Sequence, residues 1–303
     1  MFLFTSEFWF SVIRSTTPVL FATLAVSIAA RGGVYNLAVE GIMLVCALTG
    51  VIVSAFSQSL FLGALAGIMI GVAVSLILGF FVMKMGADEI IIGIAINLAA
   101  IGGTTFVLYE LTGDQSVSAA LNSKMFPAVQ IPLIHSIPVL GDIVSGHNIL
   151  TYVAFLMIII IQILLNKTPL GIRIRAVGDN EEAARSVGIN VNRIKVISLI
   201  FSGIISSLGG MFLSMGYMTM FTSNMTAGRG YMALATDAMA ASNPVGGLFA
   251  SVIYGVADTL SIYVQQTAVP VEFVRMIPYV FIIIACAIFT YIRRKKNKEA
   301  RAF

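Results

Sequence analysis

The stretch that decides the fold is Gly171–Lys195, GIRIRAVGDNEEAARSVGINVNRIK, a polar island between long hydrophobic runs. Because apolar sequence flanks the island on both sides, it is expected to be a loop exposed to water at one face of a membrane. Asp179 and Asn180 suit the N-cap of a short helix, and Gly188 stands where a left-handed residue would end it. The island is therefore predicted to contain a helix of about two turns, over 180–187, that docks into another molecule. A solvated loop helix without a partner is the alternative.

Composition places the whole chain in a membrane. Hydrophobic residues make up 58% of the 303 positions and charged residues only 11%, whereas a soluble domain carries roughly 25% charged residues. The chain is therefore predicted to be an all-α, polytopic membrane protein. Cys46 and Cys286 lie in apolar runs, which gives no sign of a disulfide framework. The net charge of +4 reflects the location of the basic residues in loops and does not indicate nucleic-acid binding.

A membrane span needs about 20 mainly apolar residues. Candidate spans are 8–30, 37–56, 60–83, 89–111, 148–166, 195–220, 245–265 and 273–292. The island and the tail at 293–303 are both strongly basic, so the positive-inside rule places both in the cytoplasm. Since an even number of crossings must separate them, the short stretch 229–243 is expected to cross as well. This predicts about nine transmembrane helices, some short or broken, with the N-terminus outside and the C-terminus cytoplasmic.

The chain 1–303 is interpreted as a single transmembrane domain. Residues 112–147 form its longest external loop, which carries His135 and His147. The spacing of these histidines fits no zinc pattern, so they are expected to be surface residues. Small residues recur every fourth position in several spans, which predicts close helix packing within one subunit. The stripes are Gly63, Gly67, Gly71, Ser75 and Gly79, then Ser202, Ser206, Gly210 and Ser214, and then Gly247, Ser251 and Gly255.

Polar residues at membrane depth are costly unless they face a cavity or a helix contact. Two glycines and an asparagine interrupt the first long apolar stretch between Arg31 and Gly41. Broken backbone at this depth must be buried in protein or line water. Amide side chains suit a neutral, polyhydroxylated or heterocyclic solute because they both donate and accept hydrogen bonds. The candidate pathway residues are Asn36, Glu40, Asn97, Tyr217, Asn224 and Asp237. For each of them a structural bond between helices is the alternative.

A first resemblance to a known family lies in the island. Glu182, Ala183 and Ala184, followed after three residues by Gly188, resemble the E-A-A-x-x-x-G signature of permease subunits of ATP-binding-cassette (ABC) importers. The downstream I-x-L-P of that signature is absent, and Ser-Leu-Ile stands at 198–200 instead. The resemblance implies that 167–195 is a cytoplasmic coupling loop whose helix fits a cleft in a separate ATPase, with the small alanines allowing close approach. The implied ATPase-coupling residues are Arg175, Gly178, Asp179, Asn180, Glu182, Ala183, Ala184 and Gly188.

A second resemblance strengthens the first. The run GVYNLAVEGIML at Gly33–Leu44, preceded by Thr17–Pro18, is similar to a signature of the ribose and branched-chain amino-acid permease superfamily, and most of all to its nucleoside and simple-sugar permeases. The sequence N-P-x-G at Asn243–Gly246 resembles a late break in the same family, and the likeness extends over roughly 11–292. It implies a nucleoside channel in the lipid of a bacterial plasma membrane, with simple sugars as the alternative solute. The implied partners are an ATPase, a second permease chain that is related but different rather than identical, and an extracellular substrate-binding lipoprotein.

Two other classes stay open from the residues alone. An ion-coupled secondary transporter would use acidic relays, for which Glu40, Asp237 and Asp258 are available, but it leaves the capped helix unexplained. A membrane-embedded enzyme is less favoured, because neither histidine lies in a span and no nucleophile–base pair is evident. No G-x-x-x-x-G-K-[ST] motif occurs in the chain, so ATP hydrolysis would belong to a partner. No cofactor, catalytic residue or metal site is predicted.

Overall fold

The structure is a computed structural model that describes residues 5–131, 140–265 and 270–301. In these ranges all long elements are helices, and β-type pairing is limited to two isolated bridges, which confirms the all-α prediction. The helices are α1 (Ser6–Arg31), α2 (Val39–Ser57), α3 (Leu60–Met85), α4 (Glu89–Thr112), α5 (Leu140–Val144), α6 (Ile149–Lys167), α7 (Pro169–Asp179), α8 (Glu181–Ser186), α9 (Val191–Met211), α10 (Arg229–Ala240), α11 (Pro244–Val264) and α12 (Val271–Arg301). A π-helical segment, Phe212–Tyr217, continues α9.

Seven helices of the described ranges are long and apolar enough to cross a membrane: α1, α2, α3, α4, α6, α9 with its π-helical segment, and α11. Their bounds agree with the predicted spans to within about four residues. Helix α10 has 12 residues, about 18 Å, and is shorter than a hydrocarbon core of about 30 Å. Helix α12 contains a shorter apolar stretch, Met276–Tyr291, and continues to Arg301. The count of nine crossings therefore stays a prediction.

Helix α1 lies at the centre of the bundle. Residues 16–29 are buried, and α9, α10 and α11 all pack against this helix. Its hydroxyl groups are satisfied inside the protein: Thr23 donates to the carbonyl of Val19 at 2.7 Å and lies 2.5 Å from the hydroxyl of Thr236 on α10. Polar side chains at membrane depth thus serve here as contacts between helices.

The small-residue stripes pack within the chain. The buried face of α3 consists of Gly63, Gly67, Gly71, Ser75, Leu78 and Gly79. A Cβ on Gly203 of α9 would lie 2.8 Å from the carbonyl oxygen of Gly71, so the two backbones are nearly in contact. In lipid such close approach provides the packing that holds helices together. The prediction of tight packing within one subunit is confirmed.

The loops of the protein gather at two ends. The island end contains α7, α8, the turn after α1 and the connection between α10 and α11. The loop end contains 113–131 and 218–223, which are joined by a hydrogen bond from the N–H of Ser118 to the carbonyl of Phe221 at 2.9 Å. Residues 218–240 therefore run from the loop end to the island end.

His147, at the loop end, differs from the expectation of a surface residue. Its side chain is 3% exposed and stacks on the ring of Phe10 with 3.9 Å between centroids. Its Nε2 lies 2.9 Å from the carbonyl oxygen of Ile143. Burial between α1 and the start of α6 lowers the pKa of His147, which favours the neutral ring. The other histidine, His135, lies outside the described residues.

Candidate functional site

The short helix α8 has a defined cap at each end. The side-chain oxygen of Asn180 accepts the N–H of Ala183 at 3.0 Å, as an N-cap residue does. At the other end Gly188 has φ +82°, and the N–H of Ile189 donates to the carbonyl of Ala184 at 3.0 Å. This is a Schellman ending, in which a left-handed residue lets the chain satisfy the last helical carbonyls. The six residues of α8 are therefore a regular helical turn and a half, a little shorter than predicted.

Helix α8 buries one side against its own chain. Ala184 is 3% exposed and belongs to the same core cluster as Val177 of α7 and Ile194 of α9. Ala184 is therefore not available to an external cleft, as both alanines were expected to be, whereas Ala183 is exposed. The two differ because neighbouring side chains point about 100° apart around a helix. The exposed side consists of Glu182, Ala183, Arg185, Ser186 and Val187, and we call it the coupling face.

The segment before α8 is helical too, which the sequence did not indicate. The hydroxyl of Thr168 accepts the N–H of Gly171 at 3.1 Å, and Pro169 occupies the first turn, where its missing N–H costs nothing. From the sequence this stretch is expected to be only a basic arm, because Gly171 and Gly178 both lower helix propensity. Helix α7 forms nevertheless, since Ile174 and Val177, three residues apart on one face of the helix, are buried in the core.

Gly178 is one of the points where α7 and α8, which we call the coupling helices, touch the membrane bundle. A Cβ at Gly178 would overlap the main-chain carbonyl of Arg31 at the end of α1 and come within 3.3 Å of the nitrogen of Gly33. On the other side, Glu181 of α8 forms an ion pair with Lys195 of α9. Helices α7 and α8 are therefore held against both α1 and α9.

The remaining coupling candidates divide into two groups. Asp179 and Glu182 are exposed at the island end, at the last residue of α7 and in the first turn of α8. Arg175 is half-buried, and its Nε has no hydrogen-bond partner within the described part of the chain. The eight candidates thus lie in one region, but they do not all share one exposed face.

The break between α1 and α2 is buried at Asn36, although Tyr35 beside it is 51% exposed. Asn36 is fully buried, and its Nδ2 donates to the hydroxyl of Ser202 at 2.9 Å and to that of Ser75 at 3.5 Å. Its Oδ1 accepts the N–H of Ala38 at 3.1 Å. The side chain therefore joins the break to α3 and α9. These bonds favour the structural alternative for Asn36.

Glu40 caps helix α10. Its Oε1 accepts the N–H of Gly228 at 2.8 Å, and its Oε2 accepts the N–H of Gly230 at 2.6 Å. These N–H groups have no partner within the helix, and the helix dipole makes this end partly positive. The carboxylate is only 3% exposed, and the caps explain how an acidic group can lie at membrane depth.

Asn97 connects α4 to α2 and α10. Its Oδ1 accepts the N–H of Gly41 at 2.8 Å, while its Nδ2 donates to the carbonyl of Leu37 at 2.9 Å and to the hydroxyl of Tyr231 at 3.1 Å. Asn97 lies about 12 Å along α4 from its first residue, which places these bonds deep in the apolar layer. We call this meeting of α2, α4 and α10 the membrane junction; it consists of 37–41, Asn97 and 228–231.

The segment that leads into α10 is irregular. Thr219, Asn224 and Ala227 have positive φ angles of 64°, 54° and 46°, and each such non-glycine residue costs of the order of 1 kcal/mol. Irregular backbone at membrane depth is tolerated where it is buried in protein or lines a water-filled cavity. The side chain of Asn224 is exposed. Of the three candidate amides, Asn224 is therefore the one that presents its side chain outward.

Hydroxyl groups flank Asn224. The hydroxyl of Ser223 lies 3.2 Å from that of Thr105 on α4, and Tyr279 of α12 donates to the carbonyl of Ala227 at 3.2 Å. Tyr231 and Tyr279 are 39% and 42% exposed. The sequence did not single out these tyrosines, because each lies in a stretch dominated by apolar residues. We call Thr105, Ser223, Asn224, Tyr231 and Tyr279 the polar strip.

Two candidate pathway residues lie apart from this strip. Tyr217 is at the loop end, where the guanidinium of Arg14 lies 4.7 Å from its ring centroid beside a cavity of about 230 Å³. Asp237 is 4% exposed near the island end of α10, where Ser27 and Ser242 donate to its carboxylate. The six candidates therefore do not form one site.

A bundle of long apolar helices that includes an irregular segment and carries a pair of capped helices at one end is the architecture of a polytopic membrane protein. The chain belongs to the family described as "Branched-chain amino acid transport system / permease component", which it matches over residues 8–286. This family and the seven apolar helices identify a multi-pass plasma-membrane protein that is a component of a transport system.

Several transport proteins are similar to this chain. It is 32% identical to the guanosine ABC transporter permease protein NupQ of Bacillus subtilis, over 88% of this chain and 87% of that protein. It is 29% identical to the nucleoside ABC transporter permease protein NupC of Lactococcus lactis, over 90% and 89%. It is also 29% identical to the putative glucose ABC transporter permease protein TsgC13 of Haloferax volcanii, over 86% and 79%. A second similar permease occurs in each of the first two organisms: NupP of Bacillus subtilis is 26% identical and NupB of Lactococcus lactis is 25% identical to this chain.

Proposed function

We propose that this chain is the permease subunit of an ABC importer for nucleosides and that a separate cytoplasmic ATPase drives it. The observation that carries the proposal is the geometry of α8. Its capped helix exposes the coupling face to an outside partner, while Ala184 and Gly178 fix the opposite side to the membrane bundle. The names of NupC and NupQ support nucleosides as the solute.

The polar strip is proposed as the solute-facing part of the pathway. It carries an amide, two aliphatic hydroxyls and two tyrosines but no ionisable acid or base that is charged at neutral pH. Amide and hydroxyl groups match the donors and acceptors of a ribose and a nucleobase, and the tyrosine rings offer faces for stacking. Simple sugars are the second candidate, because TsgC13 is named for glucose.

The acidic residues support an ATP-driven mechanism over ion coupling. Glu40 caps α10, and Asp237 accepts hydrogen bonds from two serines. Asp258 lies 3.9 Å from the guanidinium of Arg229. Each carboxylate is thus engaged inside the protein, whereas an ion relay requires acidic groups that exchange partners with a solution.

We further propose the arrangement of partners and topology. The two pairs of similar permeases, NupP with NupQ and NupB with NupC, support a second, related permease chain beside this one. An extracellular binding lipoprotein would deliver the solute at the loop end. Nine crossings of the single domain are supported by the path of 218–240. Phe221 accepts a hydrogen bond from Ser118 at the loop end, and Ala241, directly after this stretch, accepts one from Arg31 at the island end. The N-terminus would then lie outside and the basic tail in the cytoplasm.

The solute is tested by uptake in a strain that lacks the chromosomal copy and regains it from a plasmid. Radiolabelled guanosine, adenosine, glucose and ribose serve as probes. We expect restored uptake of the nucleosides. Unlabelled nucleosides should compete with this uptake, whereas glucose and ribose should not. Restored sugar uptake without nucleoside uptake would contradict the solute while leaving the importer class intact. Failure of any ATPase to co-purify with the tagged chain would contradict the class.

A further inference from the structure

Arg31 connects the end of α1 to the end of α10. Its Nε donates to the carbonyl of Ser242 and its Nη2 to the carbonyl of Ala241, both at 3.0 Å. Carbonyls that follow a helix have no partner in the helix and carry partial negative charge. A planar guanidinium presents two donors in a fixed fork, so a single side chain satisfies both groups. Arg31 therefore fixes the turn after α10 to α1.

The turn that Arg31 fixes is not one that these residues adopt readily. Ala241 and Ser242 have φ +53° and +54°, in the left-handed region. Non-glycine residues stay in that region only where their surroundings hold them. The hydroxyl of Ser242 also donates to Asp237 at 2.9 Å, and Ser27 of α1 donates to the same carboxylate. Side chains of α1 and α10 thus hold the turn in this conformation.

The main chain of the same arginine touches the coupling helices. A Cβ on Gly178 of α7 would overlap the carbonyl of Arg31, so no space separates the two backbones. At its other end α10 begins at the membrane junction, where Gly228 and Gly230 donate to Glu40. Helix α10, with 12 residues, therefore runs from the polar strip, to which its own Tyr231 belongs, to the turn held by Arg31.

We propose that Arg31 is the positioning residue that transmits movement of α7 and α8 to α10 and hence to the polar strip. The proposal rests on the proposed function, because the coupling helices are driven only if an ATPase docks on them. A shift of α7 acts on the main chain of Arg31 through Gly178. The guanidinium then displaces the carbonyls of Ala241 and Ser242, and α10 changes its position against Glu40.

The test compares Arg31→Gln with the wild type in the complete transporter, purified through a tag on this chain and reconstituted in liposomes. Two quantities are measured: the ATPase that co-purifies, and the guanosine transported per ATP hydrolysed. We expect unchanged ATPase association, because residue 31 is not part of the coupling face. We expect the transport ratio to fall by about tenfold, because glutamine lacks the charge and reach to hold both carbonyls. A purely structural role would lower the amount of transporter recovered without changing this ratio.

Matched variants make the result decisive. Arg31→Lys keeps the charge but presents it as a point donor, so its transport ratio should lie between those of the wild type and Arg31→Gln. If Arg31→Gln is not recovered in the membrane, Arg31→Lys is compared with the wild type instead. Lys84→Gln removes a charge from an exposed residue whose amine lies over Phe80, and should leave the ratio unchanged. A ratio for Arg31→Gln within about twofold of the wild type would overturn the role. An equal loss of ATPase association would also overturn it, since Arg31 would then support docking. Wild-type protein without any ATPase would reject the proposed function itself, and this is seen before any variant is compared.

Discussion

Asn97 and Asn224 carry the same amide group in two different environments. The amide of Asn97 bonds two main-chain groups and a tyrosine hydroxyl in the membrane junction, and the residue is fully buried. The side chain of Asn224 is exposed beside Ser223, on backbone with φ +54°. At this scale a hydrogen-bond inventory separates a residue that holds the fold from one that can meet a solute.

Asn97→Leu is expected to destabilise the protein, because a leucine of similar size leaves the N–H of Gly41 and the carbonyl of Leu37 unpaired. Each buried unsatisfied group costs about 1–3 kcal/mol. The thermal transition of the detergent-solubilised chain, followed by size-exclusion chromatography, should shift clearly downward. A transition equal to that of the wild type would show that the membrane junction does not depend on this amide.

Asn224→Asp is expected to leave stability unchanged and to impair uptake of guanosine by about tenfold, because it places a charge beside a path for neutral solutes. Asn224 tolerates the left-handed region, and aspartate shares that tolerance, so the backbone should not be strained. Guanosine uptake is compared at equal amounts of recovered protein. Unimpaired uptake would remove Asn224 from the solute path.

At the scale of elements, α8 shows which features local chemistry determines. Both ends of the helix follow from a few neighbouring residues, because capping is local. Of the two N-cap candidates, Asp179 and Asn180, the hydrogen bonds confirm Asn180, and they confirm Gly188 as the other end. The direction of Ala184 was not predictable in this way. It depends on the packing of α7 and α9, and α7 itself forms because core contacts outweigh the low propensity of its glycines.

The coupling face is tested by two tryptophan variants at adjacent positions. Ala183→Trp places a large ring on the exposed side of α8, so the chain should be recovered in normal amount but without the ATPase. Ala184→Trp forces the same ring into a packed core. This should destabilise the folded chain by about 1–3 kcal/mol or more and reduce the amount recovered. Both amounts are read from one affinity purification. Normal ATPase association in Ala183→Trp would mean that α8 does not dock.

At the scale of the whole molecule, hydropathy predicted the seven long spans because each is a continuous property of about 20 residues. The membrane junction could not be predicted in that way. Its bonds join residues far apart in the chain, as between Glu40 and Gly230, and no local pattern records which polar groups meet. Glu40 therefore looked like a candidate solute ligand in the sequence, whereas in the structure it caps another helix.

The number of crossings decides on which side the tail lies, and it depends on 218–240. Phe221 of this stretch accepts a hydrogen bond from Ser118, and Ala241, the residue that follows the stretch, accepts one from Arg31. We therefore expect 218–240 to cross although α10 alone is too short. One cysteine at a time is added at Glu7, Asn122, Ser186 or Asn297, and each variant is labelled with an impermeant maleimide in intact cells and in inverted vesicles. The unmodified chain, with its buried Cys46 and half-buried Cys286, is the background control. We expect the first two positions to react only in cells and the last two only in inverted vesicles. Reaction of position 297 in intact cells would make the number of crossings even, and 218–240 would then return to the side from which it started.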